Sequence, residues 1–125
     1  MTNKDIFIQT LKQKTKKFGV DVILFCDSLK RNKASSVVTY QLIKSATSTG
    51  ANYRAACRGR SNAEFFSKIC IVVEEADESV YWLEIIRDTE LSNNTNELER
   101  LFREDTEILK ILTKTKDTTY KKNHS

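Results

Sequence analysis

Apolar residues recur every three or four positions in four stretches of the chain, and three short polar breaks separate these stretches. That period matches one turn of an α-helix, so each stretch predicts a helix with one apolar face. We place the four helices at residues 4–31, 36–58, 62–89 and 95–115. A helix of ~27 residues is about 40 Å long, so these helices are longer than average.

The residues at the breaks predict how the helices end. Gly59 can adopt a positive φ and terminate the second helix. Ser61 with Glu64, three residues later, has the spacing of a capping box, and Asn94 with Glu97 repeats it. Both pairs predict the start of a helix.

Breaks of a few residues force consecutive helices to run antiparallel. The sequence therefore predicts an all-α, antiparallel, up-down-up-down four-helix bundle over residues 1–116. Residues 117–125 show no apolar period and are expected to form a disordered basic tail. Gly50 lies inside the second helix, where it predicts either a close helix contact or a local bend.

Composition supports this reading. The chain has no proline, and 30% of its residues are charged. We find no apolar run long enough for a membrane span and no secretory leader, so we expect a cytoplasmic protein without membrane contact. The three cysteines lack metal-binding spacing and are expected to be reduced core residues: Cys26, Cys57 and Cys70.

The formal charge of +4 is distributed unevenly. Residues 1–34 carry eight basic and three acidic residues, and residues 113–125 carry four and one. Residues 35–112 carry nine basic and thirteen acidic residues. Basic ends around an acidic centre weaken the nucleic-acid interpretation that the basic pI of about 9.0 invites, because phosphate binding needs a concentrated patch.

Four cations on and after the second helix are the main candidates for nucleic-acid contacts: Lys44, Arg54, Arg58 and Arg60. Arg54 and Arg58 are four residues apart, so they lie on one helix face, and arginine can bind two phosphate oxygens at once. The alternative is ion pairing, within or between subunits, with three acids of the third helix: Glu74, Asp77 and Glu78. In a hairpin that turns near Gly59, Arg54 lies too far from these acids, which favours pairing between subunits.

Several further residues are candidates for structural or subunit contacts. Asn52 lies inside a helix and is expected to fix register through a hydrogen bond, with ligand binding as the alternative. Tyr53 belongs to the inward stripe. Tyr81 and Trp82 point about 100° apart, so one is expected in the core and the other at an interface, where stacking on an RNA base is the alternative.

We expect no catalytic site, metal or cofactor. Metal sites in helical bundles use Glu-x-x-His motifs, and the only histidine is His124 in the tail. Cysteine or serine nucleophiles need a nearby base, which the sequence does not supply.

Two segments resemble one family of four-helix bundles. SATSTGANYRAACRGRS at residues 45–61 and EEADESVYWLEII at residues 74–86 are similar to proteins related to the one encoded in 23S ribosomal RNA intervening sequences. The resemblance covers residues 40–87 well. It departs at Lys44, where relatives often have arginine, and at Gly59, where a larger residue is usual.

The resemblance implies a homopentamer in which bundles stand side by side as a ring. It also implies similarity to the accessory protein of diversity-generating retroelements, which binds nucleic acid and a reverse transcriptase. We therefore expect a non-enzymatic homo-oligomer that binds structured RNA or a nucleic-acid-processing protein. The alternative is a purely protein-binding or structural oligomer without a nucleic-acid role.

Overall fold

A computed structural model describes residues 1–124 of the chain. It contains four α-helices and, within those residues, no β-strand: α1 (Asn3–Cys26), α2 (Lys33–Cys57), α3 (Asn62–Asp88) and α4 (Thr95–Asn123). The predicted all-α class with four long helices is confirmed. None of these helices is both long and apolar enough to cross a membrane.

The four helices share one hydrophobic core. Each packs against its neighbours in the chain, α1 also packs against α4, and the backbones of the pairs α1–α3 and α2–α4 do not approach each other closely in the described part of the chain. Burying a large apolar side chain contributes about 1.5–3 kcal/mol. Every helix supplies fully buried side chains to this core: Phe18, Val22, Leu42, Tyr53, Ile69, Leu83, Leu101 and Ile108.

Gly50 brings α1 and α2 into close contact. A Cβ atom at Gly50 would lie 3.3 Å from the backbone carbon of Thr15 and 3.4 Å from the backbone nitrogen of Lys16. Gly19 faces the same seam from α1, where a Cβ atom would lie 3.5 Å from the Thr47 methyl group. Of the two roles that the sequence left open for Gly50, the structure supports the close contact.

The first helix ends earlier than predicted, at Cys26 rather than residue 31. Leu29 is buried and pairs with Ser92 in a short antiparallel bridge, and the Lys30 N–H donates to the Leu91 carbonyl at 3.0 Å. These bonds tie the α1–α2 loop to the α3–α4 loop. The chain leaves the helix because the second loop offers its backbone an alternative partner.

The second helix begins at Lys33 rather than residue 36. Asn32 is its N-cap: the Asn32 side chain accepts from the Ser35 N–H at 2.8 Å, and the Ser35 hydroxyl accepts from the Asn32 N–H at 3.0 Å. This reciprocal pair satisfies backbone donors that the helix start leaves free. It moves the helix start towards the N-terminus.

The prediction that Gly59 adopts a positive φ is wrong, because no glycine in the described residues does so. A Cβ atom there would lie 3.1 Å from the Ala56 carbonyl oxygen and 3.4 Å from the Phe65 nitrogen. Glycine is therefore needed for space in the tight turn between α2 and α3.

The N-caps of α3 and α4 are present as predicted, but neither is a full capping box, because the glutamate side chain does not accept from the N-cap N–H in either helix. Ser61 accepts from the Glu64 N–H at 3.1 Å, and Asn94 accepts from the Glu97 N–H at 3.2 Å. The Glu97 carboxylate instead binds the Arg100 guanidinium through two bonds.

The fourth helix extends to Asn123, so the prediction that the chain loses helical structure after Lys116 is wrong for residues 117–123. The Tyr120 ring packs on Phe66 of α3 at 5.7 Å between centroids, and the Asn123 side chain donates to the Asn62 carbonyl at 3.1 Å. These contacts hold the last turns of α4 against α3. Ser125, the last residue of the predicted tail, lies outside the described residues.

The two seam glycines are expected to respond oppositely to alanine. Gly19→Ala should raise the free energy of unfolding by about 0.5–1 kcal/mol, because alanine favours the helix and its methyl group meets ordinary van der Waals space. Gly50→Ala should lower it by about 1 kcal/mol, because the backbone of α1 cannot yield to the new methyl group. Urea unfolding followed by circular dichroism measures both. Equal stabilisation by both substitutions would contradict the close contact.

Candidate nucleic-acid interface

The outer face of α2 presents a continuous stripe to solvent. Its members are spaced alternately three and four residues apart, which keeps them on one side of the helix. Tyr40 is 64% exposed, so the face offers an aromatic ring beside its cations. All seven residues of this α2 stripe are exposed: Val37, Tyr40, Lys44, Thr47, Ala51, Arg54 and Arg58.

Arg54 borders a shallow groove between α1 and α2. The glycine seam at Gly50 forms its floor, and Lys16 lies on the opposite rim. Val20 and Ile23 of α1 line the same groove, with 46% and 44% of their surfaces exposed. This face of the chain therefore combines cations with uncovered apolar surface.

The candidate cations on and after α2 form no ion pair within the described residues. In the part of the chain that the structure describes, Lys44, Arg54 and Arg58 make no ion pair, and neither does Arg60 in the α2–α3 turn. The same holds for the three acids that the alternative assigned to them: Glu74, Asp77 and Glu78. Pairing within one subunit is thus not seen, and pairing between subunits stays a prediction.

The fold brings two basic segments together at the α2–α3 turn. The Asn123–Asn62 hydrogen bond and the Phe66–Tyr120 contact place the end of α4 beside this turn. Residues 54–68 contain four basic residues and one acidic residue, and residues 110–122 contain five and one. We call these two segments together the basic end. Sequence analysis missed this concentration because the segments lie about 50 residues apart in the chain.

The outer face of α3 is acidic and partly apolar. Ile71, Glu74, Glu78 and Tyr81 follow the same three-and-four spacing and are exposed, and we call them the α3 stripe. Beside them, burial and then the Glu78 charge raise the pKa of the half-buried Glu75, while the positive charge of Lys44 opposes this shift. The negative charge of the α3 stripe is therefore offset only weakly by positive charges of the same chain.

Two of the predicted structural residues bond within α2. Tyr53 is buried in the core, where burial and then Cys57 raise the pKa of its hydroxyl. The half-buried Asn52 donates from its side chain to the Ser48 carbonyl at 2.9 Å. The predicted register-setting bond from Asn52 to another helix is not found among residues 1–124.

The adjacent aromatic residues of α3 differ in exposure. Tyr81 is 54% exposed and Trp82 is half-buried, and their rings meet edge to face at 5.0 Å between centroids. The Trp82 indole N–H is buried without a hydrogen-bond partner. Such a donor is costly to leave unpaired, which fits a residue at the margin of a surface that receives a partner.

The structure also reveals a buried acid at a position that belongs, by its spacing, to the apolar stripe of the fourth helix (Leu98, Leu101, Phe102, Asp105, Ile108, Leu109 and Leu112). Asp105 of α4 is fully buried, and neither of its carboxylate oxygens has a hydrogen-bond partner. Burial, followed by the charges of Asp77 and Glu104, raises the pKa of Asp105 to about 8. The described residues contain no cluster of three or more side chains suited to a metal ion. The irregular position of an acid inside the stripe was the one signal available in the sequence.

The helices and their exposed stripes define a small four-helix all-α protein with charged outer faces. The family model for the 23S rRNA-intervening sequence protein matches residues 9–114, and the chain belongs to this family. No curated protein matches.

A solved structure gives the same assignment. The crystal structure of a protein of unknown function from the S23 ribosomal protein family of Bacteroides thetaiotaomicron superposes with a TM-score of 0.77 at 33% sequence identity. The match covers 85% of this chain and 97% of that one. The resemblance inferred from residues 40–87 is confirmed, and it extends over most of the chain.

Electrostatic contact between α2 and α3 can be tested at Glu75. The pKa of Glu75 is raised overall, and the Lys44 charge opposes part of that rise. Lys44→Met should therefore raise the pKa of Glu75 further. The matched variant Arg58→Met, which removes a charge not among the causes of that shift, should leave it unchanged. Carboxyl carbon chemical shifts followed over a pH titration measure both. An unchanged Glu75 titration in Lys44→Met would show that Lys44 does not reach this carboxylate.

Proposed function

We propose that this chain is a non-enzymatic, homo-oligomeric bundle that binds structured RNA or a ribonucleoprotein partner at its basic end. The observation that carries this proposal is the docking of the last turns of α4 on the α2–α3 turn. That docking gathers Arg58, Arg60 and Lys121 into one region, whereas along the sequence they are dispersed. Cations concentrated on one surface release counterions from phosphates, which is the main source of affinity for RNA backbones.

The family description supports an RNA partner. It refers to the intervening sequence of 23S rRNA, and the solved relative is described as a member of a ribosomal protein family. Folded RNA presents closely spaced phosphates, and arginine matches phosphate oxygens with two parallel donors. On α2, Lys44 and Arg54 extend the same charge away from the basic end.

The proposal includes an antiparallel, up-down-up-down arrangement of the helices. Contacts between neighbouring helices support it, because higher residue numbers on one helix meet lower numbers on the next. Gly19 faces Thr47 while Gly50 faces Thr15. The contacts of α4 follow the same rule. Between α3 and α4, Arg87 meets Phe102 and Phe66 meets Tyr120. Between α1 and α4, Lys14 meets Glu104 and Asp21 meets Arg100.

We further propose that copies of the chain assemble side by side into a ring, a pentamer as the family resemblance implies. The α2 stripe with the adjacent groove is basic and partly apolar, and the α3 stripe is acidic and partly apolar. Arg54 of one copy would meet Glu74 and Glu78 of the next. Because the two faces differ, the contact is heterologous, and such contacts generate closed rings when the rotation allows. A ring would multiply weak RNA contacts through multivalency.

The proposal assigns no catalytic role. The ring of His124 stacks on Tyr120 at 4.0 Å between centroids, which occupies the face of the only imidazole. Burial raises the pKa of the Cys26 thiol to about 11, so this cysteine is a poor nucleophile at neutral pH.

The second candidate is an oligomer that binds only protein. The observation that favours it is the opposite charge of the α2 and α3 stripes. Subunit contacts between these stripes would engage Lys44, Arg54 and Arg58 and leave few of these cations for RNA. The two candidates differ at the basic end, because only RNA binding needs the cations of the α2–α3 turn and the end of α4.

RNA binding is tested by neutralising the basic end. Arg60→Gln combined with Lys121→Gln, which changes the basic end outside both stripes, should weaken binding to a structured RNA hairpin and reduce the dependence of log affinity on log salt by about 1 for each lost phosphate contact. Gel shifts at two salt concentrations provide the measurement. The control is Arg103→Gln, which removes an exposed arginine about 30 Å away along α4. A wild-type protein that retains no hairpin even at low salt would leave the protein-only oligomer as the explanation.

Assembly is tested separately by light scattering. The wild-type protein should give a multiple of the 14.4 kDa chain mass at micromolar concentration. Arg54→Glu should lower that mass through repulsion from the α3 stripe, and adding Glu78→Arg in the same chain should restore it. Arg103→Glu is the matched charge reversal outside both stripes. A wild-type mass of one chain would contradict the ring, and failure of the double variant to recover would contradict the proposed pairing.

A further inference from the structure

A layer of polar side chains crosses the core of the bundle, with members from all four helices. Their hydroxyl groups are satisfied: Thr15 donates to the Leu11 carbonyl at 2.9 Å, and Ser79 donates to the Ser45 hydroxyl at 2.8 Å. The carboxyl group of this layer is the exception, because neither oxygen has a partner. Each member of the layer is fully buried: Thr15, Ser45, Thr49, Ser79 and Asp105.

Asp105 lies on the part of α4 that packs near α1. The Lys14 ammonium of α1 lies 2.8 Å from the carboxylate of Glu104, the residue before Asp105. Whereas the buried Thr15 hydroxyl donates to the Leu11 carbonyl, no group lies within hydrogen-bond distance of either Asp105 oxygen. The carboxyl group is therefore enclosed without a donor that could stabilise its ionised form.

Among the described residues, no cation is found to act on the Asp105 carboxyl group. The charges that act on it are both negative: Asp77 of α3 and Glu104 of α4. From α1, the Lys14 ammonium is paired with Glu104 at 2.8 Å and with Glu107 at 3.4 Å. The backbones of α2 and α4 do not approach each other closely in the described residues, and no charge from α2 is among those that act on Asp105.

We propose that Asp105 is an internal proton-binding site: the folded chain holds this carboxyl group in its protonated form at neutral pH, and loss of the proton loosens α4 from the bundle. The proton is the ligand that the site can take, because the Asp105 side chain has no exposed surface through which a larger group could enter. Burying an unpaired carboxylate is far more costly than burying a hydrogen-bonded acid.

The direction of the pH dependence follows from linkage. The pKa of Asp105 rises from an ordinary value of 3.8 to about 8 in the folded chain. Its contribution to stability is complete below pH 3.8, declines as the pH rises, and is lost above pH 8. Within that window the unfolding equilibrium constant should increase about tenfold for each pH unit, because the folded state holds a proton that the unfolded state has released.

The loosening would act first on α4. This helix contacts only α1 and α3, and its last turn is held by the Asn123–Asn62 bond and the Phe66–Tyr120 contact. Ionisation of Asp105 should therefore increase hydrogen exchange of α4 amides more than that of the α1–α2 seam. The inference does not depend on RNA binding or on assembly.

The test compares the wild-type chain with Asp105→Asn, a variant of nearly equal shape that cannot ionise. Urea unfolding between pH 5 and pH 9 should show a midpoint that falls with pH in the wild type relative to Asp105→Asn, with the two curves separating up to pH 8. Glu99→Gln, which removes an exposed acid of the same helix that forms no ion pair in the described residues, should retain the wild-type profile. Parallel profiles for the wild type and Asp105→Asn would overturn the proposal.

A direct titration keeps the proposal testable if Asp105→Asn does not fold. The Asp105 carboxyl carbon of the wild-type chain should titrate near pH 8 by nuclear magnetic resonance, and Asp77→Asn should shift that midpoint downwards by removing a facing charge. A wild-type midpoint below pH 5 would refute the proposal. So would a midpoint that Asp77→Asn leaves unchanged.

Discussion

The bundle depends on each of four helices burying one face in a shared core, and this requirement controls what every other residue can do. Leu42, Ile69, Leu83 and Ile108 are fully withdrawn from water, and such burial is the dominant favourable contribution to folding. The buried hydroxyl groups in this core are hydrogen-bonded, as Thr15 and Thr49 are through the carbonyls four residues before them, whereas the carboxyl group of Asp105 is buried without a partner. Gly50 adds a geometric demand, because the backbones of α1 and α2 meet there.

Because the inner faces of the helices are buried in the core, only their outer faces are exposed to contact another molecule. The α2 stripe and the α3 stripe repeat with the same helical period as the core, but on opposite sides of their helices. A surface with this period suits contact with another straight helix, whereas the basic end is a cluster of charges gathered from separate parts of the chain. The surface proposed for assembly and the surface proposed for nucleic-acid binding are therefore centred on different parts of the molecule, since Arg54 lies in the groove and Arg60 lies in the turn.

The number, type and approximate extent of the helices could be predicted because their apolar period is strong, and residues 40–87 were enough to indicate the family. The ends were less predictable where side chains compete with the helix. The Asn32–Ser35 pair and the bond from the Lys30 N–H to the Leu91 carbonyl set the boundary between α1 and α2. In the last turns of α4, threonines obscure the apolar period that would otherwise predict a helix. The basic end could not be predicted from spacing, because it depends on Asn123 meeting Asn62. The position of Asp105 in the apolar stripe of the fourth helix indicated that it faces inward, but the lack of a hydrogen-bond partner could not be predicted, since its environment comes from several helices.

The bridge between Leu29 and Ser92 has a mechanical consequence. With the Lys30 N–H bonded to the Leu91 carbonyl, the bridge joins the α1–α2 loop to the α3–α4 loop. Because the α2–α3 turn also connects the two helix pairs, they are linked both by the continuous chain and by this bridge. Separating the pair α1–α2 from the pair α3–α4 would break the bridge, so the bridge opposes the opening that domain swapping requires.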